Sequence, residues 1–186
     1  MKRTISIAAF LILLSGTLSS QVELGQKVPN FTAMDQDGVK WALKKHLKAA
    51  DYLVIYFYPA AFTGGCTKQA CAYRDHKGEL ESVGAQVVGI SGDKQETLQL
   101  FALENGLNFT LLSDPNGEIA SLFNVPHNEG GTVTREIKGE SVDLVRGSTI
   151  QRWTFILDNK GTLIYKDTEV NAEADSNKVL DFISSL

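Results

Sequence analysis

Apolar and polar positions along this chain change rhythm between strand and helix spacing. Leu53-Val54-Ile55-Tyr56-Phe57-Tyr58 is an unbroken apolar, β-branched and aromatic run, which predicts a strand buried on both faces. Ala85 to Ile90 predicts a second buried strand, and Phe109 to Leu112 a short third one. After Cys66 the pattern becomes polar and Ala-containing. It predicts a helix to Val83, weakened or bent at Gly78 and stopped by Gly84. Asp93-Lys94-Gln95-Glu96 reads as a capping box opening a helix through Leu98, Phe101 and Leu103, with Gly106 closing it. Asp114-Pro115-Asn116-Gly117 predicts a turn into a helix around Ile119 to Phe123.

Two hairpins bracket this core. Phe31 to Met34 and Val39 to Trp41 flank the turn Asp35-Gln36-Asp37-Gly38, and Trp153 to Leu157 pairs with Thr162 to Tyr165 across Asp158-Asn159-Lys160-Gly161. A last helix carries Val179, Ile183 and Leu186 at i, i+4 and i+7, a face to bury. Strand–helix repeats followed by a hairpin and a helix predict an α/β sandwich around a mixed sheet. Pro126 to Thr149 breaks the rhythm: it is polar and punctuated by Gly, with a possible strand pair at Val133 to Ile137 and Val142 to Val145. Such a segment reads as a functional or mobile loop. His46, in the basic stretch Ala42 to Ala49, and His76 both read as solvated surface residues.

Residues 1–20 form a separate object. Lys2 and Arg3 precede the apolar run Ile5 to Leu14, and small polar residues follow from Ser15 to Ser20. This is the pattern of an export signal cleaved near Ser19 or Ser20, too short in its apolar part to span a membrane. The expected mature chain is a single domain, residues 21–186, in the periplasm of a Gram-negative-type bacterium or secreted, with no stable membrane association. Losing Lys2 and Arg3 takes the net charge from −4 to −6. No basic patch argues for nucleic acid, and three His and two Cys leave little material for a metal site.

The chemistry concentrates at Pro59-Ala60-Ala61-Phe62-Thr63-Gly64-Gly65-Cys66. Pro59 ends the buried strand because it has no N–H for a ladder. The glycine pair permits a tight turn, and Cys66 falls in the first turn of the next helix. A thiol there faces unpaired N–H groups and the positive end of the helix dipole, both of which favour a thiolate. Cys71 follows five residues later. A disulfide across so short a loop constrains the unfolded chain little, so the spacing favours a redox role over a structural one.

Pro59-x-x-x-Thr63-x-x-Cys66 resembles the active-site signature of peroxiredoxins, thiol peroxidases on a thioredoxin-like fold. Cys66-x4-Cys71 resembles their Q-type (bacterioferritin comigratory protein) subgroup, and Arg152 before Trp153-Thr154-Phe155-Ile156 resembles that group's Arg-x-Thr-Phe strand. The likeness runs over roughly residues 24 to 185; Gly64 stands where the group commonly carries Pro, which should loosen the turn. The resemblance implies that Cys66 is the peroxidatic cysteine and Cys71 the resolving one, joined in turnover by a disulfide. It implies that Thr63 holds thiolate and peroxide, that Pro59 shields the sulfur and that Arg152 stabilises the developing charge. It further implies hydroperoxide substrates, a thioredoxin-like reductant, a monomer or weak dimer, and no cofactor.

Rival readings use the same residues. A lone cysteine is often an inert small hydrophobe, Arg152 fits an ordinary surface strand, and Thr63 fits a plain N-cap. An exported copper carrier of the same fold would use Cys-x3-Cys with a distant His, for which His127 is the only candidate. A disulfide reductase or isomerase would use Cys-x-x-Cys.

Overall fold

The computed structural model describes residues 22–186; the expected export segment, residues 1–20, lies outside them. In chain order the elements begin β1 (Thr32–Asp35), β2 (Lys40–Ala42), α1 (Leu43–His46), β3 (Tyr52–Phe57), α2 (Gly64–Asp75), α3 (Lys77–Ser82), β4 (Ala85–Ser91) and α4 (Gln95–Asn105). They continue β5 (Thr110–Ser113), α5 (Glu118–Leu122), β6 (His127–Ile137), β7 (Glu140–Ile150), β8 (Thr154–Asp158), β9 (Leu163–Asp167) and α6 (Asp175–Ser184). Among the described residues seven strands form one sheet in the order β2-β1-β5-β4-β3-β8-β9. β3 runs parallel to β4 and antiparallel to β8, so the sheet is mixed, as the pattern predicts.

β3 is central because both its faces are covered. Leu53, Ile55 and Phe57 join a core with Trp41, Leu43, Phe123 and Phe155, on the side of α1 and α5. Val54, Tyr56 and Tyr58 point the other way, into a core with Tyr73, Leu98, Phe101, Val179 and Ile183 from α2, α4 and α6. The period of two thus divides one apolar run between two cores. Each fully buried side chain of this size stabilises the fold by about 1.5–3 kcal/mol. The helix that follows β3 begins at Gly64, so Cys66 lies just beyond the C-terminal end of this central strand.

Several expectations change in three dimensions. The helix after Cys66 breaks at His76 (φ −87°, ψ 7°), not at Gly78, which lies inside α3. His76 is half-buried, its Nδ1 2.8 Å from Ser176 Oγ, so a tether to α6 marks the break. His46 is not a free surface residue either: it stacks on Trp41 at 4.6 Å between ring centroids, and burial and the neighbouring Lys45 lower its pKa. The capping box does not form. Lys94 is the N-cap of α4 without a side-chain bond, because Asp93 is buried and turned toward other partners. Leu186 is exposed, although Val179 and Ile183 are buried as expected.

Pro126 to Thr149 is not a loop but an ordered antiparallel hairpin of two 11-residue strands, β6 and β7; the expected strand pair, Val133 to Ile137 with Val142 to Val145, is its outer part. It docks by backbone on the segment that joins β4 to α4: Lys94 N–H donates to Val145 O (2.9 Å) and Gly147 N–H to Gly92 O (2.8 Å). The approach is too close for side chains. A Cβ at Gly92 would lie 2.0 Å from Ser148 O, and one at Gly147 would lie 2.4 Å from Pro115 O. Lys138 at the tip pairs with Glu104 of α4 (2.9 Å).

Candidate active site

The site is assembled where β3, α2 and the chain before β8 meet. The Tyr58 N–H still donates to Ile90 O (3.0 Å), and Pro59 then ends the pairing. Phe62 turns the chain with a positive φ of 60°, a costly conformation for a bulky residue. Its ring packs edge-on to Phe101 at 5.2 Å, which fixes the turn against α4. Thr63 is the N-cap of α2 through its backbone: its carbonyl accepts from Thr67 N–H (2.9 Å), and its hydroxyl donates to Ala60 O (3.0 Å).

Cys66 is the third residue of α2 and only 1% exposed, whereas Cys71, on the same helix, is half-buried. Both thiols are free. Arg152, in the link between β7 and β8, extends over Gly65 and donates from Nη2 to Cys66 Sγ at 3.2 Å. A fixed cation and the N-terminal end of a 12-residue helix therefore converge on one sulfur. Cys71 lines a surface recess with Lys68, Asp75 and Glu173, the first and last of which form an exposed ion pair at 2.6 Å.

The side chains behind this contact carry no motif in the sequence. Arg152 Nη1 donates to Gln69 Oε1, and Gln69 Nε2 donates to Asp175 Oδ2 at 2.7 Å. Tyr73 OH (2.7 Å) and Thr154 Oγ1 (2.9 Å) donate to the same carboxylate oxygen. Burial pushes the Asp175 carboxyl up, and the bonds from Tyr73, Gln69 and Thr154 pull it back. Burial also lifts the Tyr56, Tyr58 and Tyr73 phenols well above their ordinary value, so they are neutral groups and not bases. Gln69 was in principle findable, since i+3 shares a helix face with Cys66. Asp175 gave no signal.

A second buried carboxylate holds the active-site turn from below. Asp93 Oδ2 accepts from Ala61 N–H (2.7 Å) and from Ser91 Oγ (2.9 Å). Its other oxygen faces Arg146 Nε of β7 at 3.7 Å. The hairpin therefore contributes a cation to the support of the turn that precedes Cys66.

A mixed thioredoxin-like sheet with a cysteine at a helix start beyond its central strand, and an arginine on that sulfur, defines a thiol peroxidase of the peroxiredoxin class. The model of the AhpC/TSA family matches residues 24–166, and the chain belongs to that family. Among relatives, peroxiredoxin Q of Populus jackii, a chloroplastic protein, is 38% identical over 91% of this chain and 72% of its own length. A Mycobacterium tuberculosis protein named "putative peroxiredoxin" is 37% identical over 84% of this chain and 91% of the relative. The crystal structure of peroxidoxin BcpB from Mycobacterium tuberculosis superposes with a TM-score of 0.73 at 30% identity, covering 89% of this chain and 99% of that one. The bacterioferritin comigratory protein of Xanthomonas campestris, described for alkyl peroxide reduction, gives 0.67 at 25% identity over 83% of this chain and 90% of that one.

Proposed function

We propose that this protein reduces hydroperoxides through a two-cysteine cycle carried by Cys66 and Cys71. The Cys66 thiolate attacks the terminal peroxide oxygen; the O–O bond breaks, the S–O bond forms, and the leaving oxygen departs as water or alcohol after taking a proton. Arg152 meets the negative charge on that oxygen, a role for which a preorganised cation in a shielded site is well suited. The Thr63 hydroxyl donates to Ala60 O, which leaves its oxygen lone pairs to accept from the peroxide O–H. Pro59, half-buried, shields the sulfur from bulk water. The Cys71 thiol then attacks the sulfenic acid, forming the S–S bond and releasing water. A thioredoxin-like dithiol reduces the disulfide by exchange and is itself oxidised.

The observation that carries this reading is the 3.2 Å contact of Arg152 Nη2 with the sulfur of a helix-start cysteine. Resolution requires α2 to open. In an intact helix, residues i and i+5 have Cα atoms about 8.7 Å apart, whereas a disulfide needs about 7 Å or less. The N-terminal pattern supports export and action outside the cytoplasm, as a monomer or weak dimer. The test is anaerobic: one equivalent of hydrogen peroxide is added to the reduced protein, and the products are mapped by mass spectrometry. Rapid formation of Cys66–Cys71 is expected; copper retention without peroxide consumption would select the carrier reading instead. Cys66→Ser should abolish consumption, and Cys71→Ser should trap the sulfenic acid at Cys66 and lose turnover with a thioredoxin-type donor. Loss of the single-turnover step in Cys71→Ser would reverse the assigned roles.

A further inference from the structure

We infer that Asp175 is a positioning residue that supports peroxide attack while opposing disulfide formation, an inference that rests on the two-cysteine reading above. Asp175 opens α6 and is 1% exposed, yet one of its oxygens accepts from three side chains on two other elements. Gln69 and Tyr73 lie four residues apart on one face of α2; Thr154 opens β8, two residues after Arg152. One buried carboxylate therefore ties together the helix that carries both cysteines and the strand that follows the arginine.

The direction of each bond gives the carboxylate its effect. An ionised carboxylate only accepts, so it must take the NH₂ end of Gln69. The amide oxygen of Gln69 is thereby turned away from Asp175, and Arg152 Nη1 donates to it. With one arm of the guanidinium fork held there, the other reaches Cys66 Sγ. Asp175 and Arg152 thus demand the same sense of Gln69 from its two ends, and Gln69, anchored on Asp175, sets the reach of Arg152. A mere helix-start acid would complement the dipole of α6 from the surface and leave Gln69 held by Arg152 alone, with no second anchor for the amide.

The same bonds resist the next step. Gln69 lies between Cys66 and Cys71, so unwinding that brings the two sulfurs together pulls Gln69 from Asp175. The carboxylate then stays buried with fewer donors. Its second oxygen already has no partner among the described residues, and a buried charge that loses a bond is costly. Closure of α2 over Asp175 favours the peroxide-reactive form; release from Asp175 favours the disulfide.

The two steps should therefore move in opposite directions when Asp175 is changed. In single-turnover quench-flow with hydrogen peroxide, read by mass spectrometry, Asp175→Ala should slow formation of the Cys66 sulfenic acid by about 10- to 100-fold, the scale of a mispositioned catalytic group. Once formed, the sulfenic acid should close to the disulfide about tenfold faster, corresponding to one lost bond to a charged group. Asp175→Asn keeps an acceptor without the charge and should show both effects at smaller size. Tyr73→Phe removes a donor that does not lead to Arg152. Tyr73 lies outside the segment that unwinds, so loss of its hydroxyl leaves Asp175 more dependent on Gln69. Tyr73→Phe should slow closure while Asp175→Ala speeds it, and leave sulfenic acid formation within about threefold of wild type. If Asp175→Ala does not fold, the other two variants carry the test. Slowing of both steps in Asp175→Ala and Asp175→Asn would overturn the proposal, as would both steps within threefold of wild type in these variants. Failure of the wild-type protein to oxidise at Cys66 would instead overturn the two-cysteine reading, and this inference with it.

Discussion

Arg152→Met separates a catalytic arginine from an ordinary half-buried one. Methionine retains apolar bulk along the side-chain path but removes both guanidinium arms, the one on Cys66 Sγ and the one on Gln69. Only the first touches the reacting sulfur, so the transition state loses one preorganised donor. Loss of a single donor of this kind typically costs on the order of 10²–10³ in rate, or about 2.7–4 kcal/mol. The second-order rate constant for Cys66 oxidation by hydrogen peroxide, followed by stopped flow, should fall by about that factor. Arg152→Lys should recover only part of it. An ammonium restores charge but cannot serve Gln69 and the sulfur together as the planar fork does. Circular dichroism and thermal unfolding of both variants check that the fold survives. A methionine variant within a few-fold of the wild-type rate would refute the role assigned to Arg152.

Three further outcomes follow from the same structure. Gly64 is the first residue of α2, a Cβ there meets nothing within 4 Å, and Thr63 before it is extended (φ −92°, ψ 148°), so Gly64→Pro fits the backbone. It should raise Tm by about 1–4 °C, and a fall in Tm would show that the turn needs glycine. Arg146→Met should destabilise by about 3 kcal/mol at neutral pH by stranding Asp93. Burial raises the Asp93 carboxyl, so the stability linked to it is present below the ordinary value of 3.8 and lost as pH climbs through the raised folded value. Without Arg146 that loss is larger, so urea midpoints of variant and wild type should diverge from about pH 4 to about pH 7; an equal penalty at both pH values would contradict this. In the Cys66–Cys71 disulfide form, amide exchange across residues 66–75 should rise, and unchanged protection there would exclude opening of α2.

The parts of this protein whose physics is local were legible in its residues alone. Leu53 to Tyr58 had to be a doubly buried strand, Pro59 had to end it, and Cys66 had to fall in the first turn of a helix. These consequences need only the apolar run, a missing N–H and turn geometry. Both cysteines on one helix were legible for the same reason. What depended on distant groups emerged only with the fold. Asp93 read as a cap from its neighbours, but Ala61 N–H, 32 residues earlier, and Arg146 claim its carboxylate. Pro126 to Thr149 read as a loop with a short strand pair because its strands are largely exposed and carry little apolar alternation; its full order comes from pairing with itself and from the backbone bond of Gly147 to Gly92. Asp175, 106 residues from Gln69, had no local pattern to announce it. A carboxylate that acts by receiving bonds across a fold becomes visible only when the fold brings its donors together.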